Sequence, residues 1–286
     1  MKKGSLQIMG TRPTNFPSDP QITIITPCLN EEHYIGKLLY TLSLQTNQNF
    51  EFIIVDGGST DKTIEVIGKF EKILPQVQLI KADKKGVSHQ RNLGARHATT
   101  AKLLFLDADS RLDESYIADF ADEVEKADAD IATAYIWPDS RNPMDWFFWL
   151  GGNVVTDLSR YVWPLGYGMN LYISKALFDS INGFNEELRV AEDVDLVKRA
   201  IAAGGKYSVL KKPKYYTDVR RLRSEGHAQF MVKTMLIAWQ AYKHGSFSKV
   251  DVEYKMGDWS EVDKEKELEH KSLFEKVKDT MLFWRE

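Results

Sequence analysis

Leu103-Leu104-Phe105-Leu106-Asp107-Ala108-Asp109 is a short apolar run that stops at two carboxylates. A run this apolar, with helical patterns on both sides, predicts a strand buried on both faces of a parallel sheet. If the chain stays extended, Asp107 and Asp109 point the same way and can share one hard cation. An isolated Asp-x-Asp is also the kind of turn that simply closes a strand. What favours the functional reading is that each polar cluster upstream falls at an equivalent place.

Residues 22–26 are rich in β-branched side chains and predict the first strand, stopping at Pro27. Asn30-Glu31-Glu32 then opens a helix carrying Ile35, Leu38, Leu39 and Leu42 at helical spacing. The second strand, residues 52–55, ends in Asp56-Gly57-Gly58-Ser59-Thr60-Asp61, where the glycines permit a tight turn and Ser59 or Thr60 can cap the next helix. A third strand, residues 77–80, ends at Asp83-Lys84-Lys85-Gly86, and a helix over 87–98 follows. Strands alternating with helices imply βαβ units and a parallel sheet, whose ligands bind outside the carboxyl ends of the strands. Asn30, Asp56, Asp83, Asp107 and Asp109 all belong to that edge. Neither a Gly-x-Gly-x-x-Gly after the first strand nor a Gly-Lys-Ser/Thr loop is present, which argues against a dinucleotide oxidoreductase and a P-loop nucleotidase. In the helix after Gly86, Arg91 lies in the apolar stripe of Val87, Gly94, Ala95 and Ala98. A charge on a buried face needs a partner, either a crevice aspartate or a bound donor.

The composition suits an ordinary soluble globular protein. The 286 residues are 43% hydrophobic and 28% charged, with a net charge of -3, which argues against a nucleic-acid coat protein. The lone Cys28 excludes an internal disulfide and fits a reducing compartment. The first residues carry two lysines but no apolar core, unlike a secretory signal, and no apolar run approaches the roughly 20 residues of a membrane span. A cytoplasmic protein is expected. Residues 1–20 read as an irregular leader, 21–218 as the α/β domain that holds these strand ends and 219–286 as a helical C-terminal extension.

Further along, residues 113–127 predict an amphipathic helix and 131–136 a strand. Residues 137–168 then concentrate Trp137, Trp146, Phe147, Phe148, Trp149, Tyr161, Trp163 and Tyr167 among three prolines, and the Trp-Phe-Phe-Trp-Leu run has no simple single-face helical pattern. Such rings can stack on sugars, receive a lipid chain, or form a satellite hydrophobic cluster. Glu192 and Asp193 start another helix, in which Asp193 shares the inward face of Val197, Ala200 and Ile201, while Asp195 can pair with Arg199. Residues 206–210 predict a further strand. Arg220, Arg221 and Arg223 suit phosphate recognition through forked donors, or form a basic surface. Residues 230–242 read as an amphipathic helix. Ser260 and Asp263 form a possible capping box for a tail helix with Leu273, Val277, Met281 and Trp284 in one stripe, which can pack, dimerise or lie on a membrane.

Ile25-Thr26-Pro27-Cys28-Leu29-Asn30-Glu31-Glu32, Val55-Asp56-Gly57-Gly58-Ser59-Thr60-Asp61, Arg91-Asn92-Leu93-Gly94-Ala95 and Phe105-Leu106-Asp107-Ala108-Asp109 together resemble the family 2 inverting glycosyltransferases, which have the GT-A fold. Gly168-Met169-Asn170, Gly183-Phe184-Asn185-Glu186 and Glu192-Asp193-Val194-Asp195-Leu196 continue the resemblance in the same order, over roughly residues 22 to 211. The resemblance implies an α/β GT-A domain, a nucleotide-sugar donor (UDP favoured, GDP next), a divalent Mn2+ or Mg2+ ion, and an acceptor hydroxyl on a glycan or lipid-linked molecule. By position it implies that Pro27, Asn30, Glu32 and Asp56 hold the nucleoside. Ser59, Asp83 and Ala108 would line the donor site, and Arg91 would contact the donor. Asp109 would bind the metal, with Asp107 beside ribose or metal and His227 as a further ligand from a later segment. Arg220 and Arg223 would face the diphosphate, and Asp193, beside Glu192, would be the general base. Nucleic acid is not an expected partner; peripheral membrane contact is. A nucleotidyltransferase shares a related sheet but opens with a Gly-rich basic loop that Pro27 to Glu32 does not match. A sensor or scaffold that binds a nucleotide-sugar without turnover is the non-enzymatic alternative.

Overall fold

The computed structural model describes residues 8–9, 19–74, 77–160, 164, 166–188 and 190–227. The readings for residues 230–242 and for the tail after Ser260 lie outside the described residues. In chain order the elements are β1 (Ile8–Met9), β2 (Ile22–Cys28), α1 (Ile35–Ser43), β3 (Phe50–Asp56), α2 (Thr63–Phe70), β4 (Val77–Lys81), α3 (Val87–His97), β5 (Lys102–Leu106), β6 (Arg111–Leu112) and α4 (Tyr116–Lys126). There follow β7 (Ile131–Pro138), α5 (Pro143–Ser159), β8 (Asn170–Ser174), α6 (Lys175–Ser180), α7 (Glu192–Ala202), β9 (Tyr207–Thr217) and α8 (Arg220–Glu225).

The strands form one sheet in the order β1-β4-β3-β2-β5-β8-β7-β9-β6. The β4-β3-β2-β5 half is parallel, as the βαβ pattern requires. β8 runs antiparallel between β5 and β7, and β9 returns parallel to β7. Successive residues of each central strand enter opposite cores. Ile24, Phe52 and Leu104 join Leu38, Leu39 and Phe120 on one face, while Ile25, Ile53 and Phe105 join Leu93, Leu196 and Val197 on the other. Both faces are covered, so the strands read as unbroken apolar runs rather than alternating ones.

Four local expectations change. β2 runs on through Pro27 to Cys28 in register with Val55 and Asp56. Its pairing with β5 ends at Ile25, so no strand on that side calls for the N–H that proline lacks. α1 starts at Ile35, not at Asn30. Asn30 adopts a φ of 55°, and the N–H groups of Asn30, Glu31 and Glu32 donate to Ser59 Oγ, Thr63 Oγ1 and Asp61 Oδ2. The Asn-Glu-Glu segment therefore ties two loops together, and Ser59 serves that tie instead of capping α2. Asp107 and Asp109 are not extended. β5 ends at Leu106, and the next residues turn, with Ser110 Oγ donating to the Asp107 carbonyl at 2.6 Å.

The fourth change concerns the aromatic segment, which contains a 17-residue helix, α5, capped by the Asn142 side chain on the Met144 N–H. Its amphipathicity is inverted. Asp145, Asn153 and Thr156 face inward, whereas Phe147 is 76% and Leu158 64% exposed. Asn153 explains part of this. Its amide donates to the Ile136 carbonyl and accepts from the Ile136 N–H, completing the edge of β7 where pairing with β8 has stopped at Thr133. An inward stripe of polar residues hides the helical period from any search for an apolar face.

Candidate functional site

The parallel strands end at one edge, and the segments leaving them meet the heads of α7 and α8. Asp56, at the end of β3, is buried, and its carboxylate accepts from the N–H groups of Gly58 and Ser59. Asn30 Oδ1 accepts from the Thr60 N–H, and Glu32 Oε2 from the Lys62 N–H. Pro27, Asn30, Glu32, Asp56 and Ser59 are thus assembled into one two-loop unit at the ends of β2 and β3. Asp83 lies further out. Its Oδ1 sits 2.6 Å from His89 Nε2, and its side chain is 71% exposed.

Arg91 is 3% exposed although charged. Its Nη2 donates to Asp107 Oδ1 at 3.0 Å and its Nη1 to Glu192 Oε1 at 2.9 Å, so of the two partners the apolar stripe allowed, a crevice acid or a bound donor, acids are present, one of them Glu192. Its guanidinium also stacks over Phe184. A Cβ on Gly168 would lie 2.6 Å from Arg91 Nη1, so only glycine leaves room for that guanidinium. The Gly168 N–H donates to Asp193 Oδ2 at 2.8 Å, and Asp193 Oδ1 accepts from the Val194 N–H. Arg91 and Gly168 therefore fix the head of α7 against the end of β5. Burial, then the neighbouring Glu192, raises the Asp193 carboxyl to about 6, against the lowering effect of the Gly168 N–H and Arg91.

Asp109 reaches a different cation. Arg220, at the start of α8, lies 3.3 Å from Asp109 and 3.1 Å from Glu31, with its guanidinium flat on the Tyr34 ring at 3.7 Å. Burial raises the Glu31 carboxyl to about 8 and the Asp109 carboxyl to about 6. Arg220 opposes both shifts, and the carboxylates around them add to both. Glu31 is the residue the sequence reading passed over. Its signal was the acidic pair at positions 31 and 32, of which the outer member was taken.

Arg223 and His227 are placed elsewhere. Arg223 Nη2 bonds Ser140 Oγ and lies 3.6 Å from Asp145, and His227 Nε2 lies 2.9 Å from Asp145 Oδ1. Among the described residues no three His, Cys, Asp or Glu side chains converge as a ready metal shell. Asp107 and Asp109 still suit a divalent ion of the Mg2+ or Mn2+ kind, which binds through one or two carboxylates and completes its shell with phosphate and water. Arg220 Nη1 is buried without a hydrogen-bond partner.

The chain matches glycosyl transferase family 2 over residues 23–176. It is 27% identical over 206 residues to the poly(ribitol-phosphate) β-N-acetylglucosaminyltransferase TarS of Staphylococcus aureus, covering 70% of this chain and 36% of TarS. It is 31% identical over 182 residues to a PGL/p-HBAD biosynthesis glycosyltransferase of Mycobacterium tuberculosis, covering 62% of this chain and 68% of that protein. The glycosyltransferase GlyA of Streptococcus pneumoniae is 31% identical over 114 residues, only 16% of its length. The chain thus spans about a third of TarS and a sixth of GlyA. Among solved structures, TarS 1–349 in complex with UDP-GlcNAc aligns with a TM-score of 0.57 at 22% identity, over 69% of this chain and 58% of that one. The mannosyltransferase PcManGT of Pyrobaculum calidifontis, in complex with GDP-Man and Mn2+, aligns with a TM-score of 0.60 at 19% identity, over 80% and 67%. These structural likenesses establish a GT-A-type fold. The chain belongs to glycosyl transferase family 2.

Proposed function

We propose that residues 21–218 are a cytoplasmic, metal-assisted, inverting glycosyltransferase that moves a sugar from a nucleotide-diphosphate donor to a hydroxyl of a glycan or lipid-linked acceptor. The observation that carries this reading is the meeting of Asp193 with Gly168, Arg91 and the Asp107-Ala108-Asp109 turn, beside the Arg220 guanidinium. UDP is favoured as the nucleotide on the likeness to TarS, whose structures hold UDP and UDP-GlcNAc; GDP is the next choice, on the likeness to PcManGT.

Asp56, fixed by its own turn, offers a carboxylate to a pyrimidine N–H. Asp109, with Asp107, would hold the divalent ion. That ion would neutralise the diphosphate as it leaves. Arg220, 3.3 Å from Asp109, would add its positive charge beside the same diphosphate. Asp193 takes the acceptor proton, the acceptor oxygen bonds the anomeric carbon, and the bond from that carbon to the phosphate oxygen breaks. One displacement inverts the configuration.

Two results test the assignment. Chelation should abolish release of UDP from UDP-sugars, and Asp109→Ala should reproduce that loss with manganese present. Full activity in excess chelator would remove the metal from the scheme. Asp56→Ala should weaken UDP binding in calorimetry before it affects anything else, since its carboxylate is far from the acceptor proton. If manganese and nucleotide-sugar bind but no donor is turned over with any acceptor or water, the sensor reading replaces the enzymatic one.

A further inference from the structure

The outward face of α5 is apolar along its whole length: Met144, Phe147, Leu150, Val154, Val155 and Leu158 are all exposed, Phe147 by 76%. A contiguous face of this kind exceeds the scattered apolar side chains a soluble surface ordinarily carries. The site described above uses none of these residues. The two acids of the helix are withdrawn from the same surface. Asp145 is fully buried against Ser140, Arg223 and His227, and Asp157 is held by Lys211 and Arg160. Arg160 and Lys211 hold Asp157, Arg223 lies beside Asp145, and exposed Arg141 precedes the helix, so four cations accompany the two acids of α5. At one edge Trp146 is 39% exposed, with its indole N–H bound to the Ser140 carbonyl. Among the described residues no helix is long and apolar enough to cross a membrane.

We propose that the outward face of α5 lies in the interface of an anionic lipid bilayer. An apolar stripe, accompanying cations and an amphipathic tryptophan at the margin are the features that seat a helix parallel to a membrane surface. A second copy on this face would bring two sets of cations together, whereas an anionic bilayer neutralises one. The position has a consequence for the acceptor, which rests on the transferase reading. α8 links the two regions, with Arg223 at Ser140 and Arg220 at Asp109. A bilayer held by α5 would bring a lipid-anchored acceptor hydroxyl toward that crevice.

The test uses the full chain with phosphatidylcholine vesicles, with and without phosphatidylglycerol. The wild type should float with the anionic vesicles and be released by salt. The double variant Phe147→Asp/Leu158→Asp should lose roughly tenfold or more in vesicle affinity. Both positions are exposed, so an unchanged thermal melt checks the fold. UDP-sugar binding with manganese should also be unchanged in this variant. Failure of binding in wild type and variant alike would implicate the transferase reading rather than the membrane one. Cys28 is buried, so Leu158→Cys takes a single environment-sensitive dye, whose emission should shift to the blue only when anionic vesicles are added. Flotation that persists undiminished in the double variant would overturn the proposal. So would a dye already shielded without vesicles, whether by residues 228–286 or by a second copy detected by light scattering.

Discussion

Asp193→Asn should lower sugar transfer by about 10²–10⁴-fold, the usual worth of general-base catalysis, while leaving donor affinity nearly unchanged. The asparagine keeps the size of the side chain and an oxygen for the Gly168 N–H, which donates to Asp193 Oδ2 at 2.8 Å. It cannot take a proton at neutral pH. The proposed nucleotide and metal positions lie at the ends of β2, β3 and β5, so calorimetry with UDP-sugar and manganese should separate binding from chemistry. The pH profile gives an independent readout. Burial and Glu192 raise the Asp193 carboxyl to about 6. A base must be unprotonated to act, so turnover should rise through about pH 6 with a single proton and level off above it. A group at the ordinary aspartate value would put that limb near pH 4. Near-normal turnover in Asp193→Asn with a dead Glu192→Gln would place the base one residue away. Normal turnover in both would leave the head of α7 a purely structural feature.

Arg91→Ala should be the most destabilising single change in the crevice, by about 3–5 kcal/mol, because it strips the counter-charge from partly buried acids. Arg91 is 3% exposed, Glu192 is 12% exposed at the side chain, and Asp107 is held by the same guanidinium. Removing the guanidinium also opens a cavity between Gly168 and Phe184, whose contacts with Arg91 hold the end of β5 to the head of α7. Arg91→Lys should lose less stability but not recover function, since one ammonium cannot span Asp107 and Glu192 as the forked guanidinium does. Chemical denaturation checks the first statement, with the slope against denaturant unchanged. A loss below about 1 kcal/mol would mean that the ion pairs are as weak as surface ones.

By itself the sequence determined the fold class and the edge at which the site lies. Four apolar strands, each ending in a polar cluster and followed by a helical stripe, leave few arrangements other than a parallel sheet with its ligand edge at those clusters. The apolar stripe bearing Arg91 likewise called for a partner, a crevice acid or a bound donor, because a charge on a buried face is costly alone. Which acids Arg91 and Arg220 would bind was decided only by the tertiary structure. Glu192 lies 101 residues from Arg91, and Glu31 lies 189 from Arg220. No local pattern links such pairs; they meet because β5, α7 and α8 converge at one edge of the sheet. Whether Asp107-Ala108-Asp109 stays extended or turns was open in the sequence for the same reason. A strand's end is set by where its neighbours stop pairing, and β5 loses its partners at Leu106. α5 makes the point most plainly. Its period was invisible because Asp145, Asn153 and Thr156 face the protein while Phe147 and Leu158 face outward. The unpaired edge of β7 beyond Thr133 explains the inward Asn153, while Asp145 meets Ser140 and His227 and Thr156 meets the Tyr167 hydroxyl.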